Sequence, residues 1–271
     1  MHRTHRIARA AARGARLAAC AVFMLSVAAN GQTPQEKGLA IAKEADRRDT
    51  GWRDSTVNMK MLLKNKQGRE SRREMRLLTM EMTGDGDRSL IIFDKPRDVK
   101  GTKLLTFSHK KGTDDQWLFL PAIKRVKRLA SRSKSGPFVG SEFAYEDMIP
   151  PEIEKYTYKY LREEAMAGLD SFVVERYPVD KNSGYTRQVV WIDKAEYRVL
   201  KIEYHDRKNS HLKTLTISGY EKYLDRFWRP DKSVMVNHQT GKSTTLVNSD
   251  YKFSTGLSKG NFNKSRLKSI R

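Results

Sequence analysis

Ser131 and Lys134, in Ser131-Arg-Ser-Lys134, have the Ser-x-x-Lys spacing of acyl-transferring serine enzymes. That chemistry needs a helix start beneath the serine and two companion motifs, and none is evident in the chain. Six histidines are present, His2, His5, His109, His205, His211 and His238. The first two fall in an N-terminal leader, and no pair among the others has helical metal-ligand spacing. Cys20 is the single cysteine, so a structural zinc site is not expected. Glu146-Asp147 and Glu163-Glu164 are adjacent carboxylates; neighbours in sequence rarely share a site, which reads as solvated turns. The chain has no Gly-x-Ser-x-Gly elbow, phosphate loop or dinucleotide fingerprint. For a cofactor-free enzyme only His109 and the Glu142/Asp147 pair would be candidates. The reading is therefore of a non-enzyme with no catalytic, metal or cofactor site.

The apolar residues carry more information. Met59, Met61, Met75, Met80 and Met82 gather in one hairpin, and methionine suits surfaces that accept varied apolar ligands. Trp117 and Phe119 share one face of a strand. Met59, Met61, Met75, Leu77, Ile91, Phe93, Leu105, Trp117, Phe119, Val190 and Ile192 are expected to line an acyl-binding hollow. Each of them could equally fill an ordinary core. A basic stretch with Arg125, Lys127, Arg128 and Arg132 leads into a Gly/Ser-rich loop holding Phe138, Phe143 and Tyr145. These are expected at the mouth, the cations facing an anionic head group or membrane surface and the aromatics edging the opening.

Residues 1–31 read as a secretory signal: Arg3, Arg6, Arg9, Arg13 and Arg16 without an acid, then an apolar run Leu17 to Ala29, then small residues. Leu17-Ala-Ala-Cys20 fits a lipoprotein acylation box by letter only. Arg16 precedes it and the apolar run follows it, so Cys20 is read as part of the discarded leader rather than a lipid anchor. The formal charge of +21 falls to +16 without the five leader arginines. Such a charge favours anionic partners such as phospholipid surface, lipopolysaccharide or glycolipid. Export argues against nucleic acid. The same lysines and arginines also serve to solvate strands and blunt their edges. Mean hydropathy of −0.71 excludes a polytopic membrane protein.

The elements that would position these residues are mostly strands. Gln35 to Trp52 reads as a helix capped by Thr33, with Pro34 in its first turn and Gly51 at its end. From Val57 the apolar period switches to two. About eleven to thirteen strands follow, separated by turns such as Asn65-Lys-Gln-Gly68 and Lys181-Asn-Ser-Gly184, in an antiparallel meander. Ser141 to Met148 is read as a short helix. Asn261 to Arg271 is a basic tail anchored by Phe262 and Leu267. A sheet this wide must curl or split. The expected fold is mainly β, residues 32–271 forming a single, unclosed, strongly curved barrel. The N-terminal helix is the candidate to plug its concave face, and the hollow is expected to be left unfilled by the chain's own side chains.

Three segments carry a family resemblance: Phe93-x-x-Pro96-x-Asp98-x-Lys100-Gly101-Thr102; Trp117-Leu-Phe-Leu-Pro-Ala122 with Lys124-Arg-Val126; and Gly140-Ser-x-Phe143-x-Tyr145-Glu-Asp147. In order and spacing the chain, from about Lys37 to its end, resembles the LolA-like outer membrane lipoprotein-sorting proteins of Gram-negative bacteria. That resemblance implies an unclosed antiparallel β-barrel with a helical lid over an apolar cavity for acyl chains. It also implies a periplasmic shuttle between inner and outer membranes, carrying a lipidated protein or a lipid. The implied partners are an inner-membrane exporter, with the RND type as one candidate, and an outer-membrane acceptor. The fold also serves lipid carriers, an envelope-stress sensor and a pigment-pathway enzyme, so fold alone does not settle function. An envelope protein-binding sensor or adaptor is the rival expectation.

Overall fold

The computed structural model describes residues 31–270; the leader and Cys20 readings lie outside them. A single helix, α1 (Pro34–Arg48), opens the described chain. Thr33 and Glu36 close a reciprocal capping box at its start. The helix stops short of Trp52 because Asp49 leaves helical φ/ψ and Gly51 takes φ +107°. Thirteen strands follow. They are β1 (Asp54–Lys64), β2 (Glu70–Met80), β3 (Arg88–Lys95), β4 (Lys103–Phe107), β5 (Asp115–Leu120), β6 (Arg125–Arg128), β7 (Tyr156–Met166), β8 (Leu169–Pro178), β9 (Tyr185–Asp193), β10 (Val199–Asp206), β11 (His211–Tyr223), β12 (Phe227–Asn237) and β13 (Ser243–Phe253). Among the described residues no helix is long and apolar enough to cross a membrane.

All thirteen strands join one antiparallel sheet in the order β6-β5-β4-β3-β2-β1-β13-β12-β11-β10-β9-β8-β7. The sheet does not close, and its two edge strands, β6 and β7, are consecutive in sequence. Every other connection is a hairpin, except that β1 also pairs with β13. The connection from β6 to β7, residues 129–155, must therefore pass from one edge of the curled sheet to the other. This topology puts the Gly/Ser-rich, aromatic-bearing segment across the open side.

The inward face carries the main core, with side chains from β1 to β5 and from β8 to β13 meeting Ile41 of α1. Phe138 and Phe143 of the crossing segment belong to the same core, 0% and 5% exposed. Tyr145 and Met148 pack against it. Two expectations are corrected here. The hollow is occupied, because the longest connection supplies the aromatic side chains that fill it. And α1 is not the main plug: it lies along edge strand β7, where Gly38 approaches so closely that a Cβ would sit 2.8 Å from the Tyr160 nitrogen. The helix thereby covers one of the two edges. The expected helix over Ser141–Met148 is a single 3-10 turn, Tyr145–Met148.

The outward face of β3 to β5 is apolar as well. Leu90, Ile92, Leu105, Trp117 and Phe119 form a second core under the C-terminal segment, where Phe262 and Leu267 are 1% and 0% exposed. Lys103, also on this face, donates from Nζ to the Leu267 carbonyl at 3.0 Å. The two anchors read in the tail are thus the cover of the sheet's back.

Candidate functional site

Cross-strand register sorts the residues expected at the site. Val57, Leu77, Ile91, Leu104 and Leu118 stand opposite one another from β1 to β5 on the inward face. Met59, Met75 and Phe93 form the adjacent row. Met61 stands beside Leu246, and Val190 and Ile192 reach the same core from β9. Nearest neighbours along a strand face opposite ways. Leu105, Trp117 and Phe119 therefore face outward into the second core, and Leu104 and Leu118 hold the inward positions assigned to them. The methionine group divides by the same parity: Met59, Met61 and Met75 inward, Met80 and Met82 with the second core.

The mouth residues divide too. Phe138 and Phe143 are not at a rim; Phe138 packs 5.7 Å from Phe93 and 5.6 Å from Tyr145, ring centre to ring centre. Arg125 and Lys127 stand opposite Leu120 and Leu118, so they share the inward parity at the free edge β6 and are exposed. Arg128 faces the other way and pairs with Asp115. Arg132 is exposed.

On the β7–β12 half the inward face is built of two adjacent rows. In the first, Tyr160, Val174, Val190, Ile202, Leu215 and Met235 stand opposite one another. In the second, one step of about 7 Å along the strands, the row reads Tyr158, Arg176, Gln188, Tyr204, Lys213 and Asn237. An oily floor thus ends at a polar belt holding two cations. Arg176 donates to Gln188 at 2.7 Å and lies over the Tyr156 ring.

The crossing segment is latched to this belt. Lys213, 4% exposed, donates to Asp147 Oδ2 at 2.7 Å and to the Glu142 carbonyl at 2.9 Å. The Tyr185 hydroxyl donates to Asp147 Oδ1 at 2.8 Å. Burial, then the Asp147 charge, pushes the Tyr185 phenol well above its ordinary range. Asn237 donates to the Glu142 carboxylate at 2.7 Å, and the Glu142 amide donates to Thr244 Oγ1 at 3.0 Å. Glu146 accepts from Ser183 and from the Gly184 amide, at 2.7 and 2.8 Å. Gly184 must be glycine there, since a Cβ would meet Ser135 at 2.9 Å. On the β2–β5 side, Arg73 donates to the Val139 carbonyl and Gln116 to the Tyr145 carbonyl. A cleft of about 410 Å³ opens where the segment meets the belt, between Ser141–Ala144, Tyr185, Lys213, Asn237 and Lys242.

The buried pair can be probed directly. Lys213→Met leaves the Asp147 charge without its partner, and breaking a buried pair on one side typically costs about 3–5 kcal/mol. Urea denaturation should show a loss of that order for Lys213→Met and a smaller loss for Lys213→Met with Asp147→Asn. An equal loss in both would mean that the pair is not coupled.

The far end of the segment is tied by Glu152, whose Oε1 accepts from Ser108 at 3.0 Å and from the Asp87 amide at 3.3 Å. Burial pushes the Asp87 carboxyl up to about 7, with the Glu152 and Glu81 charges adding to it. The folded protein thus holds a proton on Asp87 that the unfolded chain releases near pH 4. Its contribution to stability is present below pH 4, declines as pH rises through the window from about 4 to 7, and is flat above. Asp87→Asn should remove that decline, read as the difference between wild-type and variant melting temperatures from pH 5 to 8. A pH-independent difference would contradict the assignment.

The enzyme candidates serve structural ends. Lys134 Nζ donates to the Asp114 carbonyl at 2.6 Å. His109 pairs through Nδ1 with Asp85 at 2.7 Å. Glu163 binds Lys194, and Glu164 binds Arg162 and Trp191. Glu142 and Asp147 are the latch. Among the described residues no three His, Cys, Asp or Glu side chains are grouped to hold a metal ion.

A family model described as "Uncharacterized protein" matches residues 85–269. A crystal structure of an outer membrane lipoprotein-sorting protein domain from Vibrio parahaemolyticus is 59% identical, with a TM-score of 0.85 over 86% of this chain and 99% of that one. A DUF1329 family protein from Desulfovibrio piger is 30% identical, with a TM-score of 0.82 over 87% and 99%. A LolA superfamily protein from Nitrosomonas europaea shares the fold at 22% identity and a TM-score of 0.68, over 84% and 98%. No curated protein matches the chain.

Proposed function

Because the chain belongs to the LolA-like family of outer membrane lipoprotein-sorting proteins, we propose that it is a carrier, not an enzyme. It binds acyl chains of a lipidated protein or lipid on the inward face of the half-barrel. It moves them between the inner and outer membranes, with an inner-membrane exporter and an outer-membrane acceptor as its partners. The observation that carries this reading is what covers the inward face. The methionines and aliphatic side chains there are covered by the aromatics of a connecting segment, with Ile41 of α1 joining them. The segment's own Phe138, Phe143 and Tyr145 stand where acyl chains would lie. The segment is closed over the inward face.

Magnitudes favour exchange of segment for cargo. Phe138, Phe143 and Tyr145 contribute about 1.5–3 kcal/mol each by burial. A chain of some fourteen methylenes contributes about 11 kcal/mol before ordering costs, at about 0.8 kcal/mol each. Ordering the chain costs part of that surplus over the segment's sum of about 4.5–9 kcal/mol, so cargo can displace the segment and the segment can help expel cargo. Protein purified from an envelope extract should carry lipid detectable by mass spectrometry. Repeatedly lipid-free preparations that also refuse fatty-acyl probes would end this reading.

A further inference from the structure

Charge on the inward face is divided between wall and segment. The wall supplies cations: Arg176 and Lys213 in the polar belt, and Arg73 opposite Met61 on β2. Neither of the two rows running from β7 to β12 contains an aspartate or glutamate. The carboxylates that meet Lys213 and Asn237, Asp147 and Glu142, both ride on the crossing segment; Arg73 alone also feels a carboxylate of the wall, Asp98 in the β3–β4 turn. Withdrawing the segment strips Lys213 of the Asp147 carboxylate and the Glu142 carbonyl together. It strips Arg73 of the Val139 carbonyl. Lys213 is buried, and Arg73 and Arg176 are half-buried; a buried cation without its partner is strongly unfavourable, so a loaded state that covers Lys213 again needs a replacement anion. An acyl chain ending in a neutral group brings none.

We propose that the cargo is an amphiphile with an anionic head group, a phosphate or carboxylate, and that Arg73, Arg176 and Lys213 receive that head when the segment withdraws. The inference rests on the carrier reading above and narrows it. The belt lies one strand step from the oily row, so a head held there places its chains on the floor beside it. A guanidinium offers a bidentate fork to either anion, and the Lys213 ammonium adds a point charge. The site thereby selects an acidic lipid over a neutral acylated peptide.

The test is displacement of N-phenyl-1-naphthylamine, a neutral apolar probe, from the full protein. The competitors are dioctanoyl phosphatidic acid, dioctanoylglycerol of the same chains, and inorganic phosphate alone. The phosphatidic acid should displace the probe at concentrations at least about tenfold lower than the glycerol, while phosphate alone displaces nothing. Arg73→Met with Arg176→Met should abolish that gap, read as the ratio of the two lipids' potencies on the same variant. Lys213→Met with Asp147→Asn, which keeps the folded core neutral, should narrow it. Equal potency of the two lipids on the native protein overturns the inference whatever the variants do, and leaves the carrier reading standing. A gap that survives in the double arginine variant places the head elsewhere and also overturns it. If the probe does not bind and neither lipid is taken up, the carrier reading itself falls.

Discussion

Protein cross-linked between Glu142→Cys and Thr244→Cys takes up no acyl probe when oxidised, and takes it up after reduction. The Glu142 amide lies 3.0 Å from the Thr244 hydroxyl oxygen, so the two positions are neighbours in the closed form. Cys20 is the only native cysteine and is replaced by serine in this experiment. The bond would tie the crossing segment to β13 and hold Phe138, Phe143 and Tyr145 over the inward face. The expected effect is near-complete loss of uptake, recovered by dithiothreitol, measured by probe fluorescence. Uptake that does not change with oxidation would mean that cargo binds without displacing the segment.

Phe138→Ala moves stability and binding in opposite directions. Phe138 is fully buried between Phe93 and Tyr145, and truncating such a side chain costs about 3–5 kcal/mol where the cavity cannot collapse. That cost falls on the docked segment. Val139 beside it is held at φ +47°, a region β-branched residues avoid, so the segment already carries backbone strain in the closed form. The variant should therefore melt lower than wild type and bind an acyl probe more tightly, by about tenfold or more. Both changes are read on one sample by thermal denaturation and probe titration. Lower stability with weaker binding would show that Phe138 forms part of the acyl site instead of competing for it.

The strands were legible because most are buried on one face. Alternation of Val57, Met59 and Met61 against polar neighbours places β1 and its inward residues without further help. The same signal fails for β3 to β5, where Ile91 and Ile92, Leu104 and Leu105, and Leu118 and Phe119 are buried on both faces. Parity then assigns no inside, and Trp117 and Phe119 look as suitable as Leu118. What breaks the tie is a cover supplied by Phe262 and Leu267, far along the chain, under which only one parity fits. The crossing segment was legible in composition but not in place. Its aromatics among Gly and Ser suggest an edge, and only the adjacency of β1 with β13 leaves β6 and β7 as the two edges it must join. One residue did announce the latch. Lys213 shares the inward parity of Leu215 and Ile217, and a lysine facing a core asks for a carboxylate to meet it. Asp147, two residues after Tyr145, is that carboxylate.

The central claim is that cargo and the crossing segment compete for one apolar surface, and amide hydrogen exchange along residues 129–155 tests it most directly. In the closed form the Phe138 amide donates to the Phe143 carbonyl, the Tyr145 amide to Gly136 and the Glu146 amide to Lys134. With a saturating acyl ligand bound, these amides should lose their protection while those of β1 and β12 keep or gain it. Bound ligand with the protection of the segment unchanged would contradict the account.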